Sequence, residues 1–335
     1  MRVLVTGASS LIGRELTEAL TRRGDSVVCF QRHPSAIVIG ARALVEVLGD
    51  VRDSGAVDDA AARCDAVVHL AAKVGVVGRW DEYRSINVDG TANVLAAARR
   101  AGIRRFVHVS SPSVAHGGGA LIGARADPPV LGRRRAYYAE SKAIAENAAL
   151  AATSDDMAVV VIRPHLVWGP GDTQLVGRIV ERARAGRLAV VGSGNALVDT
   201  TYIDNAVSAL VAALDAVRPG AACAGCAYVI ANGEPRPIRD LIAGICAAAG
   251  VEFAPRDVPL AAATRVGSVV ERVWPALRRS DEPPLTRFLA EQLGTAHWFD
   301  PRPAAKDLGW APKVTIDEGL RRLAAWYASD PEIGR

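Results

Sequence analysis

The feature that most constrains the fold is an alternation of short β-branched runs with longer helical segments over the first 165 residues. Residues 2–6, 26–31, 44–48, 66–70, 105–110 and 159–163 are predicted strands. Residues 11–23, 56–63, 83–101 and 138–153 are predicted helices between them. Strand followed by helix, repeated, predicts an α/β fold whose parallel sheet is covered by helices on both faces. Right-handed crossovers then make the sheet doubly wound.

The second half of the chain, from residue 165 onward, follows a looser pattern. Proline and glycine clusters at 169–171, 192–195, 232–237 and 282–284 separate short helical runs. We interpret this half as a smaller, mixed α/β C-terminal cap that binds the substrate. Residues 199–216, a helix with its lead-in, and 227–231, an extra strand, are predicted to return to the first unit. The predicted domains are therefore a dinucleotide-binding unit of residues 1–164 and 197–231 and a cap of residues 165–196 and 232–335.

Composition narrows the possible functions. A net charge of +4 over 335 residues, without a long basic block, argues against nucleic-acid binding. No uncharged apolar stretch reaches the roughly 18 residues of a membrane span, and no signal peptide precedes the first strand. The five cysteines do not resemble a disulfide framework, so we expect a cytoplasmic protein. Cys223 and Cys226 form a single Cys-x-x-Cys pair, which predicts no metal site.

The first predicted strand ends in a glycine turn that opens directly into a helix, as a dinucleotide fingerprint requires. Gly7 permits the tight turn, and Gly13 lets the helix pack close to the strand. The helix N-terminus at Ser10, Leu11 and Ile12 would bind a pyrophosphate through its free N–H groups. Ser10 replaces the middle glycine, so a purely structural turn stays open on this motif alone. With a nucleotide bound here, the sheet would be of Rossmann type.

The end of the second predicted strand indicates which nicotinamide cofactor is bound. An NAD enzyme places an acidic residue there, for the ribose 2′-hydroxyl. This chain has Gln31 and Arg32 instead, which remove a repulsive charge and supply a cation for a 2′-phosphate. We therefore predict NADP(H) in preference to NAD(H). The alternative is that Arg32 is an ordinary solvated loop arginine.

A candidate catalytic group lies at the start of the helix predicted over 138–153. Tyr138 and Lys142 are four residues apart and share one helical face, where an ammonium would favour the phenolate. Ser111 follows a predicted strand at the carboxyl edge of the sheet, where it could donate to a carbonyl or alkoxide oxygen. Lysine is rare in this arginine-rich chain, so a retained lysine marks a position that needs an ammonium. The only lysines are Lys73, Lys142, Lys306 and Lys313.

Together, these motifs resemble the extended short-chain dehydrogenase/reductase family over nearly the full chain. The residues that carry the resemblance are the turn 6–13, 49–53, 69–72, 87–91, Ser110 and Ser111 with Val114, Tyr138 with Lys142, Arg163 with Pro164, and 168–172. The runs 163–172, 198–205, 284–287 and 297–300 are most similar to the 3β-hydroxysteroid dehydrogenase branch, which includes bacterial 2-alkyl-3-oxoalkanoate reductases. Sugar-nucleotide epimerases resemble these runs less.

The resemblance implies roles for individual residues. Ser111, Tyr138 and Lys142 would be the catalytic residues, with Lys142 also binding the nicotinamide ribose. The further cofactor-binding positions that it implies are Asp50, Val51, Leu70, Ala71, Ala72, Asn87, Ser110, Pro164, Leu166 and Val167. Ser113 and His165 are candidate substrate contacts, although His165 is equally explained as a packed histidine. The family also implies a homodimer.

We therefore expect an NADP(H)-dependent oxidoreductase that interconverts a ketone and a secondary alcohol on a hydrophobic substrate, either a 3-oxo acid or a sterol-like ring. One alternative is a nucleotide-sugar epimerase or dehydratase, which shares the first domain. Another is a protein that senses NADP(H) without turnover, which the intact serine, tyrosine and lysine argue against.

An amphipathic helix is predicted over residues 258–279. Its apolar positions recur at helical spacing with arginines between them, and they include Val266, Val269, Val270 and Val273. The simplest interpretation is a cap helix that buries this stripe. A lid over a greasy substrate, or a contact with a membrane surface, stays open as an alternative.

Overall fold

The structure is a computed structural model that describes residues 1–34, 44–75, 78–117, 119–132, 137–274 and 286–329. Its strands are β1 (Arg2–Thr6), β2 (Ser26–Gln31), β3 (Leu44–Leu48), β4 (Ala66–His69), β5 (Arg105–Val109), β6 (Leu121–Ala124), β7 (Ala158–Pro164), β8 (Val167–Trp168), β9 (Ala189–Val191), β10 (Leu197–Val198), β11 (Thr201–Tyr202), β12 (Ala227–Ile230), β13 (Arg236–Pro237), β14 (Arg256–Val258) and β15 (His297–Phe299).

Its α-helices are α1 (Leu11–Arg22), α2 (Ser54–Ala61), α3 (Trp80–Tyr83), α4 (Gly90–Arg100), α5 (Tyr137–Ala151), α6 (Val176–Arg184), α7 (Ile203–Ala216), α8 (Ile238–Ala248), α9 (Leu260–Val273), α10 (Arg287–Gly294), α11 (Arg302–Leu308) and α12 (Ile316–Ser329). A π-helical segment covers Arg84–Asp89, and a 3-10 turn covers Pro112–Val114.

A seven-stranded parallel sheet in the order β12-β7-β5-β4-β1-β2-β3 forms the centre of the molecule. All six strands expected from the first 165 residues are present, and the expected returning strand is β12, at the edge beside β7. The doubly wound fold is confirmed. The strand order reverses between β1 and β4, and a ligand crevice opens outside the carboxyl ends at such a point.

Successive side chains of each strand point to opposite faces of the sheet, so the sheet has an apolar layer on each side. Val3 and Val5 of β1 pack on the face covered by α1 and α7, whereas Leu4 packs on the opposite face. That opposite face is covered by α2, α4 and α5. The catalytic candidates on α5 therefore lie against the same face as Leu4.

A second, mixed sheet has the order β13-β10-β15-β6, and two of its strands, β6 and β10, come from residues assigned above to the dinucleotide-binding unit. The β10 strand is antiparallel to β13 and parallel to β15, which is parallel to β6. The helices α6, α8 and α12 pack together, as do α9 and α10. Among the described helices, none is both long enough and apolar enough to cross a bilayer.

The helix predicted over 83–101 differs from the structure because it is interrupted. α3 ends at Tyr83, a π-helical segment follows, and α4 begins at Gly90. The hydroxyl of Thr91 donates a hydrogen bond to the Asn87 carbonyl at 2.6 Å within this region. The wider π turn places the buried Asn87 side chain toward α5, and such segments occur frequently at functional sites.

The amphipathic helix is present as α9, but the simplest interpretation of its apolar stripe was wrong. Val266, Val269 and Val273 are about half exposed. The helix instead buries a small-residue side, with Ala263 fully buried and Gly267 so close to the start of α10 that a Cβ there would lie 2.4 Å from a backbone nitrogen. Small residues allow this close helix approach, which turns the valines outward. Residues 275–279 of the predicted helix lie outside the described residues.

Candidate active site

The glycine turn after β1 has the shape of a cradle for a pyrophosphate. Gly7 has a φ of +72°, and a Cβ on it would lie 2.8 Å from the Ala71 nitrogen. A Cβ on Gly13 would lie 2.4 Å from the Gly7 carbonyl oxygen. Ser10 is the N-cap of α1 and accepts the Gly13 N–H at 3.1 Å. Because the Gly13 N–H already donates to Ser10, the backbone N–H groups of Leu11 and Ile12 are the first-turn donors left to bind an anion.

The predicted ribose-binding residues lie at the end of β2. Gln31 is buried, and its amide donates to the exposed Glu46 of β3 at 2.6 Å. Arg32, one residue further, is exposed. Asp50 pairs with Arg52 at 2.7 Å, and this hydrogen bond lowers the pKa of the Asp50 carboxyl. The exposed Arg32 guanidinium therefore lies at this site. The two nearby acids each have a partner: Glu46 accepts from Gln31, and Asp50 pairs with Arg52.

A chain of hydrogen bonds connects the glycine turn with the helices behind the site. Thr6 contacts His69 Nδ1 at 2.7 Å, and His69 Nε2 contacts Thr91 at 2.9 Å. The Thr91 hydroxyl uses its proton on the Asn87 carbonyl, so His69 Nε2 is the donor to Thr91 and Nδ1 accepts from Thr6. Burial lowers the pKa of His69 to about 3, so the ring is neutral and its tautomer is fixed.

Asn87 connects this chain with the catalytic helix. Its side-chain oxygen accepts from the Lys73 N–H at 2.7 Å, and its amide donates to the Lys73 carbonyl at 3.0 Å. The same amide donates to Ser141 at 2.9 Å, and Ser141 donates to the Tyr138 carbonyl. All polar atoms of the Asn87 side chain are therefore engaged, and the residue positions α5 against the loop after β4.

The structure brings Ser111 close to Tyr138, because the 3-10 turn that Ser111 precedes packs against α5. The Ser111 hydroxyl oxygen accepts from the Ser113 hydroxyl at 3.0 Å and from the Ser113 N–H at 3.3 Å. The Ser111 proton is therefore free to point toward the phenol or toward a substrate oxygen. Partial burial raises the pKa of Tyr138 above 10, and the hydrogen bond with Ser111 opposes that rise. Tyr138 is consequently a protonated acid at neutral pH.

Lys142 lies one helical turn behind Tyr138, buried against the end of β5. Its Nζ donates to the Val109 carbonyl at 2.7 Å. Burial lowers the pKa of Lys142 to about 8, and the charge of Glu146 opposes the fall. Glu146 in turn forms a fully buried ion pair with Arg163 of β7. The expectation that Lys142 lowers the Tyr138 pKa is not met in this arrangement, because the ammonium points at Val109 and burial dominates around the phenol.

The remaining predicted cofactor contacts lie along the carboxyl edge. Leu70, Ala71 and Ala72 follow β4 and are partly exposed, and Val51 is buried against α4. Pro164 ends β7, Val167 begins β8, and Leu166 between them has an unusual φ of +42°. The Ser110 side chain is buried without a partner in the described part of the chain. A strained residue and an unsatisfied hydroxyl at one sheet edge are typical of a ligand site.

His165 belongs to a group of imidazoles between β7 and the cap. Its Nδ1 donates to the Asp199 carbonyl at 2.6 Å, and its ring lies 5.9 Å from that of His297 and 4.9 Å from that of Phe299. The His116 ring is 5.0 Å from His297. Burial lowers the pKa of His165 to about 4 and that of His297 to about 3. These rings are neutral at pH 7 and offer hydrogen bonds, not charge.

Several of these features were not visible in the sequence. Asn87 clamps Lys73 and Ser141 and so joins three segments that are distant in the sequence. In the sequence, only the resemblance of the run 87–91 to the family pointed to Asn87, and nothing indicated its partners. All five cysteines are free, and no three potential metal-binding side chains cluster among the residues that the structure describes.

Comparisons with known proteins agree with this geometry. A family model described as the NAD dependent epimerase/dehydratase family matches residues 3–231. The 2-alkyl-3-oxoalkanoate reductase of Stenotrophomonas maltophilia is 49% identical over 98% of this chain and 100% of that protein. The 3-beta-hydroxysteroid dehydrogenase of Mycolicibacterium neoaurum is 31% identical over 97% of this chain and 91% of that protein.

Among solved structures, MoeE5 in complex with UDP-glucuronic acid and NAD is similar, with a TM-score of 0.72 and 25% identity. The match covers 98% of this chain and 99% of MoeE5. The first domain and the cap therefore both have counterparts in a solved structure.

Proposed function

The chain belongs to the NAD dependent epimerase/dehydratase family, and from that premise we propose that it is an NADP(H)-dependent oxidoreductase for the ketone of a 2-alkyl-3-oxo acid. The observation that carries the proposal is the placement of Ser111 beside Tyr138 at the carboxyl edge, with Lys142 buried behind them. The relative at 49% identity, matched over its whole length, supports this substrate class.

The side chains support a proton-transfer mechanism. A bound nicotinamide cofactor supplies the hydride, which is the difficult step. Ser111 holds the carbonyl oxygen of the substrate, because its proton is not used by Ser113. Tyr138 then donates its proton to the oxygen as charge develops there. Its raised pKa keeps the phenol protonated at neutral pH, which favours the reducing direction.

Lys142 is the cation behind Tyr138 that would bind the ribose hydroxyls of the nicotinamide. Its pKa of about 8 leaves it mostly charged at neutral pH. The buried Glu146 carboxylate supports that charge from behind, and Arg163 in turn neutralises Glu146. The three residues therefore allow one ammonium to stay charged inside the protein.

Arg32 supports NADP(H) as the cofactor. The guanidinium is exposed beside the end of β2, and the nearest acidic side chains are held by Gln31 and Arg52. A 2′-phosphate would therefore meet a cation without facing a free carboxylate. The similar structure of MoeE5 contains NAD. The shared fold therefore does not decide between the two cofactors, and the proposal of NADP(H) rests on Arg32.

A nucleotide-sugar epimerase is the second candidate, because MoeE5 was solved with UDP-glucuronic acid. Such an enzyme needs cationic groups for a diphosphate in its cap. Binding of UDP-glucuronic acid to the purified protein would favour this second candidate.

A homodimer in the cytoplasm is also part of the proposal. Light scattering after size-exclusion chromatography measures whether the protein is a dimer.

Cofactor titration tests the proposal directly. NADPH and NADH are titrated by fluorescence into the wild type, into Arg32→Ala, and into Arg22→Ala, which removes an arginine that is 71% exposed on α1. We expect NADPH to bind more tightly than NADH, and only Arg32→Ala to lose about 10- to 100-fold of that preference, as for a lost charge-assisted hydrogen bond. Equal affinity of the wild type for both nucleotides would contradict the NADP(H) assignment.

A further inference from the structure

Lys73 is a cation at the carboxyl edge that the proposed chemistry does not use. It directly follows the predicted cofactor-lining residues 70–72 at the end of β4. Its backbone N–H and carbonyl are both held by Asn87, at 2.7 and 3.0 Å. Because Asn87 also holds Ser141 beside Tyr138, the Lys73 backbone is fixed relative to the catalytic helix.

The Lys73 side chain lies against α3, which packs beside that helix. Its ammonium lies 5.2 Å from the centre of the Tyr83 ring, and the Tyr83 ring is 6.3 Å from that of Tyr137, the neighbour of Tyr138. Its ionic partner is Glu82, at 3.0 Å. The Lys73 side chain is 27% exposed and Glu82 is 50% exposed. A pair this accessible is weak, so another carboxylate can take the place of Glu82.

Other positive groups near the edge are already engaged. Lys142 donates to the Val109 carbonyl, and Arg163 is fully buried against Glu146. His165 and His297 are neutral at pH 7, because burial lowers their pKa values to about 4 and about 3. A 3-oxo acid carries its carboxylate two bonds from the ketone carbon and needs a cation close to the reacting centre. The exposed Arg32 is assigned to the cofactor, which leaves Lys73 as an accessible cation for the substrate.

The choice of residue agrees with this role. Only four of the 40 basic residues are lysines. An ammonium on a flexible stem can turn from Glu82 toward a ligand, whereas the planar guanidinium is suited to a fixed fork. We propose that Lys73 binds the carboxylate of the substrate and so makes the enzyme selective for 3-oxo and 3-hydroxy acids over neutral ketones and alcohols. This inference rests on the proposed function.

The test compares an acid with its uncharged counterpart in the oxidising direction, because 3-oxo acids lose carbon dioxide spontaneously. A 2-alkyl-3-hydroxy acid reacts with NADP+ to give the 3-oxo acid, NADPH and a proton. The methyl ester of the same acid undergoes the same hydride transfer without the negative charge. Initial rates of NADPH formation are measured for the wild type, Lys73→Met, Lys73→Arg, Glu82→Gln and the surface control Lys306→Met.

We expect Lys73→Met to raise the KM of the acid about 10- to 100-fold and to change kcat/KM for the ester by less than about twofold. Lys73→Arg should restore part of the loss, because it keeps the charge. Glu82→Gln removes a competing carboxylate and should lower the KM of the acid by up to about fivefold. Lys306→Met, on the exposed side of α11, should match the wild type.

Any of three results would overturn the inference while leaving the proposed function intact. In the first, the wild type uses acid and ester with equal KM. In the second, Lys73→Met lowers kcat/KM equally for both substrates. In the third, Glu82→Gln raises the KM of the acid as much as Lys73→Met does. A wild type that oxidises neither substrate with NADP+ would instead refute the proposed function.

Discussion

Lys142 should make the folded protein less stable at neutral pH than a variant with an uncharged side chain of similar size. The ordinary lysine pKa is 10.5, and burial lowers that of Lys142 to about 8. The unfolded chain therefore binds more protons at this residue than the folded chain between pH 8 and 10.5. By linkage, the free energy of unfolding rises with pH across that window as the destabilising charge is lost.

The magnitude follows from the two pKa values. A difference of about 2.5 pKa units corresponds to about 3 kcal/mol below pH 8, and about 1 kcal/mol of it remains at pH 9.5. Lys142→Met removes this cost but leaves the Val109 carbonyl without its donor, which costs about 1 kcal/mol at every pH. The variant should therefore be about 2 kcal/mol more stable than the wild type at pH 7, and the advantage should disappear near pH 9.5.

Urea unfolding of both proteins at pH 7 and pH 9.5, followed by circular dichroism, measures the two differences. The comparison between proteins matters because other groups titrate in the same range: burial raises the pKa of Cys29 to about 11, for example. Their contributions are common to both proteins and cancel. A stability difference that is independent of pH would refute the assigned pKa of Lys142, and with it the argument that a buried ammonium is maintained for catalysis.

Three further predictions follow from the site. Tyr138→Phe should lower kcat by about 100- to 10,000-fold with unchanged NADPH affinity, because only the proton donor is lost; steady-state rates and fluorescence titration measure the two quantities. Gly13→Ala should weaken NADPH binding and lower the melting temperature, since its Cβ would lie 2.4 Å from the Gly7 carbonyl oxygen. Asn87→Leu should destabilise the fold by about 2 to 4 kcal/mol and lower kcat, because it removes the side-chain hydrogen bonds of Asn87 to the Lys73 backbone and to Ser141; unchanged thermal unfolding would contradict the clamp.

The sequence was sufficient for features that depend on local spacing. The interval between Tyr138 and Lys142 is set by the helical repeat, and the Gly7 turn is set by backbone conformation, so both were predicted at the right residues. The returning strand 227–231 was predictable because its run is short and apolar. Interactions that join distant segments were not predictable, and the clamp of Asn87 is one of them.

The outward face of α9 was missed for a related reason. Helical periodicity identifies an apolar stripe but not the side on which the neighbouring helix approaches. Gly267 decides that side, because it permits a backbone contact that a larger residue would prevent. A side made of Ala263 and Gly267 has little hydrophobic signal, although it is the buried one. The close approach of the α9 backbone to the start of α10 therefore decides which side of α9 is buried, although the valines carry more apolar area.

The same alternation that builds the core also prepares the active site. On the face of the sheet that α5 covers, an apolar row crosses four neighbouring strands, and it consists of Leu4, Val67, Phe106 and Val159. Two residues further toward the carboxyl ends, the same face carries Thr6, His69, His108 and Val161, and then Arg163. Because side chains repeat every second residue, this change from apolar to polar occurs at one level on β1, β4 and β5 and two residues later on β7.

The position of that level explains why a charged lysine can be buried. Below it, apolar packing holds α5 firmly to the sheet through Ala149 and Ala152. Above it, Lys142 meets a carbonyl and the charge of Glu146 in place of a purely apolar wall. A shift of one residue in the register of any of these strands would turn the polar side chains of that strand to the opposite face of the sheet. The register of the parallel strands therefore contributes, with helix α5, to the position of the Lys142 ammonium.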